Sequence, residues 1–371
     1  MAETFENQST SEEFAFTSEQ QELRAAVRGF CAEYSDEATV RHLMESTPAF
    51  DQKVWARLGS ELGVLGLGVA EELGGSGGGI VDAAIVVEEL GAALLCGPVF
   101  GTLALSIPAL VAAPDSPVRT ETLGPLVEGI RTAAFAVPEQ GGRFAPDAVT
   151  VTAAGAGDSW VLSGTVANVV DAGAADDLIV AASVRDGVAL FVVDATTAGV
   201  RRSAVSTMDL TRPQATIDLA AVPARLLAEP DQAPRICQHA LQIGAVLLAA
   251  EQVGAAQHLL DLSVEYAKDR LQFGRPIGSF QAVKHRIADM LVEQEHARSA
   301  AYHGAWALQD GTDDPVLAAS IAQAVCSAAF TRIAKDTVQV HGGIGFTWEH
   351  QAHLYFKRAS TDAALLGSAE A

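Results

Sequence analysis

The stretch Tyr266-Ala-Lys-Asp-Arg270-Leu-Gln-Phe273-Gly274-Arg-Pro-Ile277-Gly-Ser279-Phe280-Gln281-Ala-Val-Lys-His285 decides how this chain is read. A helix that starts well before Glu265 is expected to end at Arg270, where a guanidinium can fork onto a phosphate while staying charged. Phe273 and Gly274 then turn the chain tightly, and Gln281 opens the next helix with a side-chain amide. On the pattern alone, a plain helix–helix corner and a cofactor-binding corner are equally good readings. A second stretch, Gln339-Val340-His341-Gly342-Gly343-Ile-Gly345-Phe346, puts two glycines at a helix end. Such glycines either stop the helix or let backbone approach a flat or phosphorylated ligand.

Working outward, residues 235–356 read as long helices broken at 274–278, 310–315 and 342–345. A polar, Pro-containing linker at 225–234 precedes them. Upstream lie short β-type runs at 133–137, 149–152, 160–162, 178–182, 189–193 and 215–219, separated by Gly, Asp and Pro as in an antiparallel sheet or small barrel. The N-terminal part is helical from Phe16. Ser18 and Gln21 form the expected capping box, and Leu23, Val27 and Phe30 follow at helical spacing. Further helices are expected around Trp55 and Leu58, over 81–95 and on to about 130, with a glycine-rich loop at 72–79. The reading is an α+β chain of three parts: an N-terminal helical domain (12–130), a middle antiparallel β-domain (131–228) and a C-terminal four-helix-type domain (229–371).

Bulk composition narrows the function. The chain has 371 residues, 49% hydrophobic and 19% charged, so it can bury a large core. A net charge of −22 argues against nucleic acid and anionic membrane surfaces as partners. Cys31, Cys96, Cys237 and Cys326 are dispersed, which reads as reduced core cysteines of a cytoplasmic protein. No Cys/His cluster has metal-ligand spacing. The acidic start lacks a basic, apolar signal region, and the apolar run at 244–250 is too short to span a bilayer.

The two opening stretches together resemble the acyl-CoA dehydrogenase family. The likeness runs from Phe16 to Gly367, strong toward the C-terminus and weaker in the middle. Val69-Ala-Glu-Glu-Leu-Gly-Gly-Ser-Gly-Gly-Gly79 followed by Val87-Glu-Glu-Leu-Gly91 is similar to the family's N-terminal signature. The resemblance implies FAD as cofactor. It assigns Arg270, Phe273 and Gln281 to contacts with the FAD of a neighbouring subunit. It lays Gln339, Val340, His341, Gly342 and Gly343 along the adenine and ribitol of that FAD, and adds Gly367 and Ser368 to the cofactor-binding set. A flavin site of this kind implies at least a dimer. The middle part departs from the family: Val137-Pro138-Glu139-Gln140-Gly141-Gly142 inverts its Glu-Pro order. Asn168-Val-Val-Asp171-Ala172 replaces a usual flavin contact downstream of Trp160-Val-Leu-Ser-Gly164.

The family reaction takes the α-proton of an acyl-CoA with a carboxylate while the β-hydrogen leaves as hydride to flavin. Such a base must be desolvated. In many members it is a Glu in a C-terminal Glu-Gly-Thr loop, matched here by Leu366-Gly367-Ser368, and in others a Glu on the helix before Arg270, matched by Gly244. Neither is an acid. Two helical turns past Gly244 sits Glu251, the one charged residue between Arg235 and Asp261, in an apolar neighbourhood. Glu251 is therefore the candidate catalytic base, the alternative being a Glu paired with a distant cation. Glu139 and Asp171 are weaker candidates because solvated loop positions account for both. The resemblance leaves two readings. One is an FAD-dependent acyl-CoA dehydrogenase using Glu251 that passes electrons to an electron-transfer flavoprotein, as a homodimer, a homotetramer or a two-plus-two heterotetramer. The other is a non-catalytic or half-site subunit of a two-plus-two heterotetramer. The departures resemble actinobacterial members acting on bulky, including steroid side-chain, thioesters.

Overall fold

The computed structural model describes residues 16–157, 159–311 and 313–367. Helix α1 (Ser18–Tyr34) is capped one residue earlier than expected: Thr17 accepts the Gln20 amide N–H and the Gln20 side chain accepts that of Thr17. Then come α2 (Glu37–Leu43), α3 (Gln52–Ser60) and α4 (Ile80–Ala92). A wide-turned helix (Val99–Ser106) runs into α5 (Ile107–Ala112), and α6 (Pro117–Val127) follows.

The strands are β1 (Ala133–Ala136), β2 (Glu139–Gln140), β3 (Arg143–Phe144), β4 (Thr152–Ala156), β5 (Ser159–Val170), β6 (Asp177–Val184), β7 (Gly187–Asp194), β8 (Val200–Val205) and β9 (Gln214–Ala228). Among the described residues β2 and β3 pair only with each other, and the rest order as β1-β6-β4-β5-β9-β7, with β8 beside β9 and β7 pairing back onto β6. The path thus closes into a small barrel. Its pairings are antiparallel except for β1 with β6 and one residue pair of β4 with β6. Leu162, Leu178, Val180, Phe191 and Ile217 fill its interior, a core separate from that of the helices. Two expectations are corrected. β8 lacked a signal because Val200-Arg-Arg-Ser-Ala-Val205 lies on the barrel rim with its side chains mostly exposed. The linker expected from residue 225 begins inside β9, which runs to Ala228 because its residues pair with β7.

The C-terminal part holds α7 (Ala233–Asp269), a hairpin of β10 (Leu271–Gln272) and β11 (Arg275–Pro276), α8 (Gln281–Asp310), α9 (Pro315–His341) and α10 (Ala352–Asp362). The breaks fall at the glycine, proline and aspartate clusters that the sequence marks. Helix α7 crosses α4 at backbone contact: a Cβ on Gly254 would lie 1.8 Å from the Glu88 carbonyl oxygen, and one on Gly91 would lie 2.4 Å from that of Glu251. Only glycine permits this approach. By length and apolarity α7 and the stretch Pro315–Phe346 could each cross a membrane, but their most apolar windows are 89% and 50% buried within the protein. Burial, rather than the short length expected for the run at 244–250, accounts for the apolar character of α7. The four cysteines are free and buried.

Candidate active site

A cleft of about 1170 Å³ opens between the barrel and the helices. Phe100, Leu105, Phe135, Leu241 and Leu366 line its apolar part. On the barrel side the wall comes from the end of β5, whose pairing with β9 slips between Val166 and Val169. Ala167 and Asn168 therefore have no cross-strand partner, and Asn168 sits at φ +56. Such a bulge frees backbone groups for a ligand. Across the cleft stand Ser360, Thr361 and the turn that follows α10.

Both family positions for a base meet at the apolar end of this cleft. A Cβ on Gly244 would lie 2.5 Å from Leu105 Cδ2 and 3.4 Å from Leu366 Cδ1. Leu366 is buried at φ +53, an unusual backbone for a branched residue, and Gly367 follows at φ +93. Gln323 Nε2 donates to the Leu365 carbonyl at 2.8 Å and holds the turn. A Cβ on Gly367 would press on Gly141 at 2.9 Å, so this turn packs against the 139–142 loop. Glu139 lines the cleft and is its one carboxylate among the described residues. It is half-buried, and its Oε2 accepts the Gly142 N–H at 2.7 Å. Ser368 lies outside the described residues.

Glu251 is not on the cleft wall. It is 4% exposed and closed in by two arginines: Arg212 Nη2 and Arg358 Nη1 both donate to its Oε1. Arg358 also donates from Nε to Asp209 Oδ2 at 2.8 Å and from Nη2 to Thr211 Oγ1 at 2.6 Å. Arg212 Nη1 lies 3.5 Å from Asp362 Oδ1, and the Arg212 guanidinium sits over the Phe100 ring at 5.0 Å. Burial by itself would raise the Glu251 carboxyl, but the two guanidiniums outweigh it and hold it below the usual carboxylate range. That is opposite to what a general base needs. The expectation of an unpaired, desolvated Glu251 is thus corrected: the carboxylate is desolvated and paired. Asp171 is corrected too, since it is buried rather than solvated. Its Oδ2 accepts the Gly101 N–H at 2.8 Å, and burial pushes it up to about 6. Burial likewise pushes Asp362 up to about 7. Sequence reasoning did not single out Asp209, Arg212 or Asp362, which lie far from Glu251 along the chain. The available signal was the isolated Glu251, because a charge in an apolar helix demands a cation.

The two opening stretches are brought together. The Tyr266 ring stacks on His341 with centroids 4.3 Å apart. Phe273 and Gly274, at φ +54 and +76, form the two-residue turn of the β10–β11 hairpin, and Phe273 is 92% exposed. Arg270, Gln281, Gln339, Gly342 and Gly343 are exposed as well, while Val340 and His341 are buried. A Cβ on Gly342 or Gly343 would meet open space. His341 Nδ1 lies 2.8 Å from the Thr337 carbonyl, which can only accept, so Nδ1 carries the proton. Its buried Nε2 is an acceptor with no partner among the described residues. None of these residues lines the cleft of its own chain. No group of His, Cys, Asp and Glu among the described residues could hold a metal ion.

Two family models match the chain: the acyl-CoA dehydrogenase N-terminal domain over residues 17–129 and the C-terminal domain over 235–371. The chain is 37% identical over 349 residues to acyl-CoA dehydrogenase IpdE2 of Mycolicibacterium smegmatis, covering 94% of both chains. Among solved structures, the Tcur3481-Tcur3483 steroid ACAD G363A variant is 30% identical with a TM-score of 0.84, over 95% of this chain and 94% of that one. The ChsE4-ChsE5 complex from Mycobacterium tuberculosis is 28% identical with a TM-score of 0.85, over 96% of each. The chain belongs to the acyl-CoA dehydrogenase family, FAD-dependent oxidoreductases that act on a CH–CH bond of an acyl-CoA.

The residues present fit FAD. The cleft exceeds the roughly 300–1,000 Å³ of a single small-ligand pocket, leaving room for a flat ring and an acyl chain together. The β5 bulge would offer a flat ring in the cleft the unladdered backbone of Ala167 and Asn168. Away from the cleft, the exposed Gly342–Gly343 backbone is open to a nucleotide from outside the subunit.

Proposed function

We propose that this chain is one subunit of a heteromeric FAD-dependent acyl-CoA dehydrogenase for a bulky apolar acyl group, with the α-proton base supplied by another chain. The observation that carries the reading is the apolar contact of Leu105, Gly244 and Leu366 where a carboxylate would stand, combined with a Glu251 that two arginines hold ionised. FAD supplies the hydride acceptor when bound. The chain's own residues bind and exclude water. Phe100, Leu105, Leu241 and Leu366 form a wall that takes an apolar acyl group. Arg270, Phe273, Gln281 and the 339–343 segment hold the nucleotide end of the flavin seated mainly in the neighbouring subunit, and Gly367 and Ser368 complete the cofactor-binding set. The resemblance to a two-component steroid enzyme and to the ChsE4-ChsE5 complex supports a heteromer and a steroid-type thioester. An electron-transfer flavoprotein as electron acceptor and a cytoplasmic location belong to the same reading.

A self-sufficient enzyme is the second reading, and Glu139 favours it as the one carboxylate lining the cleft among the described residues. Co-purification decides between them. The chain alone and the chain expressed with a second family member are assayed for FAD per chain and for bleaching of the flavin by acyl-CoA. Bleaching only in the pair, unaffected by Glu139→Gln, supports the heteromer. Bleaching by the chain alone that Glu139→Gln abolishes sinks it.

A further inference from the structure

We infer that Glu251, held between Arg212 and Arg358, is a positioning residue that fixes the two facing walls of the cleft and so the seat of whatever ring and chain lie between them. The inference rests on the cleft being the flavin and acyl site. Three acids of the buried cluster, Asp171, Asp209 and Asp362, each adjoin a wall residue in sequence. Asp209 follows Met208, and Asp171 follows Val170. Gly101, whose N–H goes to Asp171, lines the cleft itself. Arg358 and Asp362 are one turn apart on α10, while Ser360, Thr361, Ala364 and Leu365 of the same segment face the cleft. The same short segments therefore present one set of side chains to the ligand space and another to the cluster.

Glu251 is the fixed point of this arrangement. It stands on α7, the helical core's longest element, and is pinned by α4: a Cβ on Gly91 would fall 2.7 Å from Glu251 Cγ. One guanidinium runs from Glu251 to the loop before β9 and the other comes from α10. Arg358 crosses back to that loop through Asp209 and Thr211. The barrel wall and the α10 wall are thus tied to one carboxylate. The charges are matched on the same plan. Glu251 and Asp209, both held below the usual range, balance the two arginines, while Asp171 and Asp362 are pushed upward by burial. An acid that acts through two arginines on two walls is placed to set geometry rather than to move a proton.

The test uses the FAD-loaded protein, alone or with its second subunit, whichever carries flavin. Glu251→Gln is expected to weaken FAD binding on the order of tenfold. It should also change the visible circular dichroism of the flavin at saturating FAD while leaving both limbs of the turnover–pH profile in place. Thr211→Val removes one acceptor from Arg358 and one donor from Asp209 while leaving that pair in contact, and should move the same two readouts less. It also serves if Glu251→Gln does not fold. Unchanged FAD affinity and flavin dichroism in both variants, with only a lower Tm, would overturn the inference. So would loss of one limb of the pH profile in Glu251→Gln, which marks a base. A wild-type protein that takes up no FAD in any assembly defeats the flavin reading itself, before any variant is compared.

Discussion

Replacing the Glu251 carboxylate by an amide leaves Arg212 and Arg358 facing each other inside the protein with one acceptor fewer. Breaking a buried ion pair from one side costs roughly 3–5 kcal/mol, much of it from the uncompensated charge. Urea unfolding at neutral pH should show Glu251→Gln less stable by about that amount; a change below about 1 kcal/mol would mean the arginines find other partners. Asp362 responds in the opposite sense. Its folded value of about 7 lies above the usual 3.8, so the folded state holds its proton over a range where the unfolded state has released it. Stability from this group is fully present below the unfolded value and is lost as pH rises through the folded one. Asp362→Asn should therefore raise Tm by about 2–4 °C near pH 8 and leave it unchanged near pH 4, read by calorimetry at both. Glu251 and Asp209, held low, lose their contribution as pH falls into the acid range.

At the scale of elements, the β10–β11 hairpin bears a conformational cost for its exposed aromatic. Phe273 sits at φ +54 where Asn or Gly is the usual occupant of a two-residue turn, and its ring is 92% exposed. Phe273→Asn should leave the isolated chain as stable or up to about 1 kcal/mol more stable. The same variant should lower the flavin content of the assembled protein; unchanged flavin content would remove Phe273 from the cofactor set. The crossing of α4 and α7 makes a different demand. Gly254→Ala would drive a methyl into the Glu88 backbone, and overpacking against backbone costs about 1–3 kcal/mol or more. What the sequence made legible divides along the same lines. Helix ends at residues 274–278, 310–315 and 342–345 were readable because Gly, Pro and Asp act locally. The rim strand β8 was not, because its register comes from β9 rather than from its own alternation. Glu251's isolation was visible, but its partners Arg212 and Arg358 lie 39 and 107 residues away, a pairing that only the closed fold creates.

For the molecule as a whole, the surface carries two opposed features. Leu271, Phe273, Phe346 and Trp348, and on α9 Val316, Leu317 and Ile321, are large apolar side chains at least 39% exposed. Exposed apolar side chains of this size gain when a partner covers them. Yet the chain has a net charge of −22, so two copies repel each other as they approach. Salt screens that repulsion, with a Debye length of about 10 Å at 0.1 M, and leaves the apolar attraction in place. Self-association of the chain should therefore tighten as ionic strength rises. Sedimentation equilibrium across about 20–300 mM salt measures it directly. A second subunit that presents basic residues to this face would show the reverse, binding most tightly at low salt. If self-association instead weakens with salt, complementary charges already lie across the homomeric contact, and the apolar faces alone do not build the assembly.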